Sequence, residues 1–329
     1  MKHRLITWAA ATLCLTACTN EDSISHDFLA DTPIKLNVSV NEPTTRAGYS
    51  DADKPTRFVL GVIHDNHNPT DKYNYTVWAE GEDNNWKTYD LTPYRNDGTK
   101  KDVTMLWANM NDEVTVLALS DLENLGNAIT KHPTDQTTPD ALKKADFLVM
   151  PQTQVAPAKD GITVAFMHTM SKINLTIELG DEYEFAEDVE KKITDVKIDG
   201  SKVEAGFEIK SSTDNPQFII AASGVPTPIT PLYTGATAFS KEAGKITKAS
   251  ATYEAILIPQ PFESGKFTVS FMVDGKTYAW TYDKELTLAP STAYTLKLTA
   301  GNDKVQSASF SAAKWGAGNG DEGEKKETD

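Results

Sequence analysis

Cysteine is nearly absent from this chain: Cys14 and Cys18 are the only two, four positions apart. Neither a disulfide framework nor a cysteine metal site can be built from that pair. Basic charge is also short. Lys and Arg total 32 against 47 Asp and Glu, for a formal net charge of −15. That balance argues against nucleic acid as a partner and against a basic membrane-binding face. Calcium-loop spacing and phosphate-cradling glycine loops are missing. No repeat of 20–50 residues marks a solenoid or propeller. The apolar stretch from Leu5 to Ala17 is too short to span a bilayer, which takes about 20 residues.

That stretch has another reading. Lys2, His3 and Arg4 precede it, and Leu15-Thr16-Ala17-Cys18 closes it. This is the pattern of a lipoprotein signal peptide over 1–17, with cleavage before Cys18 and lipidation of its side chain. Loss of Lys2 and Arg4 takes the net charge to −17. Acyl chains on Cys18 anchor the protein to a membrane outside the cytoplasm. Residues 18–32 are polar and read as a lipidated tether.

Past Asp31, apolar residues alternate with polar ones in short bursts, the signature of half-buried strands. Ile34, Leu36, Val38 and Val40 form the cleanest set. Similar sets occur at Tyr73–Val77, Val114–Ala118, Ile162–Phe166, Ile173–Leu179, Phe267–Val273 and Tyr294–Leu298. Asn96-Asp97-Gly98, Asp160-Gly161, Asp199-Gly200 and Asp274-Gly275 mark turns, the last a hairpin. Helical spacing is limited to Leu122, Leu125 and Ile129 and to a short segment from Ala141 to Leu148. The fold class is therefore all-β with short helices in loops. The chain is long for one domain, and the charged run 181–192 divides it. This predicts one domain over 33–180, a second over 181–315, and a disordered acidic tail over 316–329.

No catalytic constellation emerges, so no enzyme and no cofactor is expected. His64 and His67 sit in a polar stretch and read as loop residues. His168 closes a strand near Ser171 and Lys172, but no G-x-S-x-G elbow supports a nucleophile. A surface hydrolase would need two converging carboxylates. Trp78, Trp86, Trp107, Trp280 and Trp315 offer a second alternative, a surface glycan-binding lipoprotein, if they line one exposed face.

The most suggestive feature is a strand followed by a cut site. Ile34–Val40 is trailed by Asn41-Glu42-Pro43-Thr44-Thr45-Arg46-Ala47-Gly48, a polar stretch with a single arginine. An arginine-specific protease reaches such a segment easily. Cutting between Arg46 and Ala47 and losing the strand would open an apolar groove for another strand.

These stretches, with Asp146-Phe147-Leu148, His168-Thr169-Met170-Ser171-Lys172, Ile258-Pro259-Gln260 and Lys314-Trp315-Gly316, resemble the fimbrillin family of Bacteroides–Porphyromonas type pilus subunits. The resemblance implies two tandem transthyretin-like β-sandwich domains, with 34–40 as a removable first strand. It implies partners: other fimbrillin-like pilus subunits, an arginine-specific protease, the outer membrane through the lipid anchor, and a host or bacterial surface ligand. It implies a place at the cell surface or in a fimbrium, with no catalysis. The candidate donor is the segment from Val305 to Trp315, with Ala308, Phe310 and Ala312 on one face. The charged tail beyond Trp315 departs from the pattern of a shaft subunit and leaves a tip, anchor or accessory role open.

Overall fold

Alternation at period 2 becomes strand wherever one face can be buried, and here it does so repeatedly. The computed structural model describes residues 30–40, 48–65, 68, 71–83, 85–120, 128–129, 132–180, 182–183, 192–210, 217–242, 245–315 and 325–326. The first half contains β1 (Leu36–Val40), β2 (Arg57–Ile63), β3 (Tyr75–Glu82), β4 (Asn85–Asp90), α1 (Leu91–Asp97), β5 (Val114–Leu119), β6 (Ala128–Ile129), α2 (Pro139–Ala145), β7 (Leu148–Val155) and β8 (Ile162–His168). Then come β9 (Ser171–Leu179), β10 (Ile193–Asp199), β11 (Lys202–Lys210), β12 (Gln217–Pro226), β13 (Leu232–Glu242) and β14 (Lys245–Leu257). The last are β15 (Pro261–Phe262), β16 (Phe267–Val273), β17 (Lys276–Tyr282), β18 (Leu286–Thr287), β19 (Thr292–Ala300), β20 (Val305–Lys314) and β21 (Lys325–Lys326).

Two large sheets organise the molecule. A seven-stranded sheet runs β1-β8-β7-β5-β2-β3-β4, and a six-stranded sheet runs β13-β14-β9-β19-β20-β21. The first sheet buries Val40, Phe58, Leu60, Val62, Val116 and Phe166 in one core, closed by Met105 and Trp107. The second sheet faces the three-stranded β10-β16-β17 sheet across a core that includes Leu175, Ile198, Phe271, Leu296 and Phe310. Two sheets facing each other over alternating inward side chains form a sandwich. The all-β expectation therefore holds.

Several details differ from the sequence reading. The charged run 181–192 suggested a division near Gly180, yet β9 already belongs to the second sheet, paired with β14 and β19. The chain changes sheet at Thr169-Met170, between β8 and β9. Alternation at Ile173, Leu175 and Ile177 shows a buried face without showing which sheet supplies it. Ile129, read as helical, lies in the short strand β6 beside β11. Asn96-Asp97-Gly98 ends helix α1 instead of joining strands: Gly98 is left-handed at φ 76° and its N–H donates to the Tyr94 carbonyl. The Asp274-Gly275 hairpin is as read, with positive φ at both residues and Val273 opposite Lys276.

A polar clasp that sequence reasoning missed fastens the loop before α2 to β14. His132 is buried, and its Nε2 lies 2.7 Å from the Ile256 carbonyl. A carbonyl only accepts, so Nε2 carries the hydrogen. Gln136 completes the clasp: its Nε2 donates to that carbonyl at 2.7 Å, and its Oε1 accepts from the Ile256 N–H at 2.8 Å. Burial pushes the His132 imidazole down to about 4, opposed by the hydrogen bond to Ile256. The unfolded chain therefore takes up a proton near pH 6.5 that the folded chain refuses until about pH 4. The stability from neutral His132 is complete above the unfolded value and drains away as pH falls toward the folded one. Between pH 7 and 4.5 the loss is expected to be about 2–3 kcal/mol. Urea midpoints of wild type and His132→Gln at the two pH values check this. The variant should lose distinctly less stability on acidification, and equal losses would refute the assignment.

Candidate functional site

The first strand occupies an edge of the seven-stranded sheet and, among the described residues, pairs with one strand, while its Val40 N–H donates to Asp51 Oδ1 at 2.8 Å. β1 runs parallel to β8, with Leu36 opposite Ile162, Val38 opposite Val164 and Val40 opposite Phe166. Ile34, Leu36, Val38 and Val40 are all buried. Ahead of β1, the Asp31 N–H donates to the Trp107 carbonyl and the Ile34 N–H to the Met105 carbonyl. On its other side β8 meets β7 only at Leu148–His168 and Val149–Met167. β1 is thus the principal partner of β8.

Backbone approach at the start of β8 is close. The Ile162 N–H donates to the Lys35 carbonyl at 2.9 Å. Gly161 is left-handed at φ 86°, and a Cβ there would lie 2.1 Å from the Lys35 oxygen. Only glycine fits both constraints. Gly161→Ala is expected to loosen β1, raising amide exchange at Leu36–Val40 at least tenfold while the second core stays unchanged. Unaltered exchange in β1 would show that Gly161 is not needed for its seating.

Other residues singled out from the sequence fall differently. Cys18, Arg46 and Ala47 lie outside the described residues, as does His67. The candidate donor residues belong to β20, paired along its length with β19. Phe310 is buried among Phe267, Tyr282 and Tyr294, and Ala308 and Ala312 are partly buried beside it. His64 lies 3.8 Å from Asp71 and 3.6 Å from Asp112 at the end of β2.

The tryptophans do not form the exposed row that glycan stacking requires. Trp78, Trp107 and Trp315 are buried, and Trp86 and Trp280 are partly buried against the two main cores. The glycan-binding alternative is dropped on that ground.

The scattered landmarks instead converge. His168 Nδ1 lies 2.9 Å from Asp146 Oδ1, and the His168 ring stacks on Trp315 with centroids 4.1 Å apart. Lys172 Nζ sits 3.2 Å from Glu254 Oε2 and 5.9 Å from the Trp315 ring centre. The Tyr49 N–H donates to Asp146 Oδ2 at 3.1 Å. Gly48 is left-handed at φ 95°, and a Cβ on it would lie 3.2 Å from that oxygen and 3.7 Å from Trp315. The Trp315 N–H donates to the Ser291 carbonyl, and the Ser291 N–H to that of Met170. Asp146, His168, Lys172 and Trp315 are each almost wholly buried. Phe147, Ile256, Ile258 and Trp315 share one apolar cluster with Leu142 of α2. This knot joins the chain just past Arg46, the junction of the sheets and the end of β20. An aspartate–histidine pair under a tryptophan ring orients and braces. Ser171 Oγ, the nucleophile imagined beside His168, instead donates to the Ala289 carbonyl.

An all-β, sandwich-like protein braced by a buried polar knot is the class that fold and site define. The family described as fimbrillin-like matches residues 56–315, and the chain belongs to it. Among solved structures, it resembles a Bacteroides ovatus protein ascribed to cell adhesion. The TM-score is 0.56 at 17% identity, over 87% of this chain and 98% of that one. That likeness bears on fold alone. A fimbrial protein from Bacteroides vulgatus gives 0.48 at 14% identity, over 86% and 99%. The tip fimbrial protein Mfa3 from Porphyromonas gingivalis gives 0.40 at 10% identity, over 80% and 95%. No curated protein matches.

Proposed function

We propose that this protein is a subunit of a cell-surface fimbrium, serving adhesion and assembled by protease-triggered strand exchange. In this reading it is made as a lipoprotein precursor, anchored to the outer membrane through Cys18, and cut between Arg46 and Ala47. Membership of the fimbrillin-like family supports the fimbrial role. The observation that carries the mechanism is β1: an apolar edge strand with one parallel partner, ending six residues before Arg46. The four buried side chains of Ile34, Leu36, Val38 and Val40 contribute about 6–12 kcal/mol, at about 1.5–3 each. The cut alone therefore does not empty the groove. It makes the strand replaceable, and an incoming strand with the same period-2 pattern refills the same pockets.

The division of labour along the chain belongs to the same reading: an acceptor unit built on the first sheet and a second unit ending in β20. As donor, Val305–Trp315 would first have to leave β19, taking Phe310 out of the second core. That cost favours a tip, anchor or accessory position over the shaft.

The test compares wild type with Arg46→Ala, both treated with an arginine-specific protease. Wild type should release residues before Ala47 and form ladders that resist mild denaturant, while the variant stays monomeric. Equal polymerisation of the two would sink the mechanism. Separately, Cys18→Ala is expected to shift the protein from the membrane to the soluble fraction on cell fractionation. Unchanged membrane association would rule the anchor out.

A further inference from the structure

We propose that the buried Asp146–His168 pair is a binding site for an α-ammonium group, the one created on Ala47 when the chain is cut after Arg46. The inference rests on the processing reading above and adds what the new chain end does.

Asp146 is an unusual place for a carboxylate. Its side chain is fully buried, and it caps the C-terminus of α2, where the helix dipole disfavours negative charge. Among the described residues its ion-pair partner is His168, which is charged only when protonated. The nearby Lys172 is directed at Glu254. A carboxylate offers about four acceptor positions. The Tyr49 N–H and His168 Nδ1 each take one, so the site has acceptor capacity for a further donor.

Chain connectivity brings that donor close. Tyr49 N is 3.1 Å from Asp146 Oδ2, and the nitrogen of Ala47 lies two residues upstream. Two residues span at most about 7 Å, so the amine cannot stray far from the carboxylate. The intervening residue is Gly48, buried and left-handed, whose missing side chain lets the backbone pass between Asp146 and Trp315. Before the cut, Ala47 contributes a neutral amide. Hydrolysis of the Arg46–Ala47 peptide adds water and leaves a carboxylate on Arg46 and a protonated amine on Ala47. The Arg46 carboxylate can depart with the first strand. The ammonium remains beside a buried anion, where charge-assisted hydrogen bonds are strong. Seating it there makes the cut one-way and ties the new chain end to Trp315 at the end of β20.

The test uses the full chain with Pro43→Ile, Thr44→Glu and Thr45→Gly, so that a protease specific for Ile-Glu-Gly-Arg cuts after Arg46 whatever the natural enzyme does. A second chain carries one extra Gly after Arg46, displacing the ammonium by a residue. After nicking, both are treated with an amine-acylating reagent at neutral pH. Acylation of the new amine is followed by peptide mass spectrometry against surface lysines. The Ala47 amine should react at least tenfold more slowly than the displaced glycine amine. Asp146→Asn, checked for retained circular dichroism, should restore fast reaction. If that variant does not fold, the comparison with the inserted glycine decides alone. Equal rates in the two nicked chains would overturn the proposal. Failure of an arginine-specific protease to cut the unaltered chain would count only against the processing reading.

Discussion

Phe310→Ala is expected to destabilise the second core by about 3–5 kcal/mol, the range for removing a buried aromatic ring. Phe310 stacks on Tyr294 at 5.5 Å, with Tyr282 at 5.6 Å and Phe267 at 6.1 Å. Few neighbours can collapse into the space, because three of the surrounding groups are rings fixed by their own strands. Ser309→Ala, one residue along on the exposed side of β20, should change little. Urea unfolding followed by circular dichroism gives both values. The result bears on the proposed assembly, since it measures part of what β20 would give up on leaving its own sheet. A loss below about 1 kcal/mol would mean that β20 is peripheral and free to act as a donor.

Lys172→Met is expected to cost about 3–5 kcal/mol, because it strands the Glu254 carboxylate in a largely closed site. Lys172 is 1% exposed at its side chain and Glu254 is 13% exposed. The double variant Lys172→Met, Glu254→Leu should recover most of the loss, since no lone charge then remains buried. A double-mutant cycle by urea unfolding separates the pair from the packing of the lysine stem. If the single substitution costs under 1 kcal/mol, the knot around Trp315 is not a structural brace.

What could be read from the sequence followed from periodicity. Leu36–Val40, Val114–Ala118 and Phe267–Val273 alternate because one face meets a core and the other water, and each lies in a strand. The strands β12, β13 and β14 were not legible. Gln217–Pro226 reads as a continuous apolar run, and Leu232–Glu242 is diluted by Gly, Ala, Thr and Ser. The knot was visible only as separate landmarks. Asp146, His168, Lys172 and Trp315 are brought together by the pairings of β7 with β8, β9 with β19 and β19 with β20. No local spacing encodes such contacts. His132 gave no signal at all, since a buried imidazole and a loop imidazole look alike in a sequence.

The parallel seating of β1 against β8 has a mechanical meaning. Tension arriving from the N-terminal side enters along the axis of β1. It meets the contacts of Asp31 and Ile34 with Trp107 and Met105, then the ladder from Leu36 to Val40. A strand pulled along its own length loads its ladder in shear, so the hydrogen bonds share the force instead of parting one after another. In the proposed precursor this ladder is what would hold against a pull on the tether, and the proposed cut after Arg46 would decide whether that grip is still part of the chain.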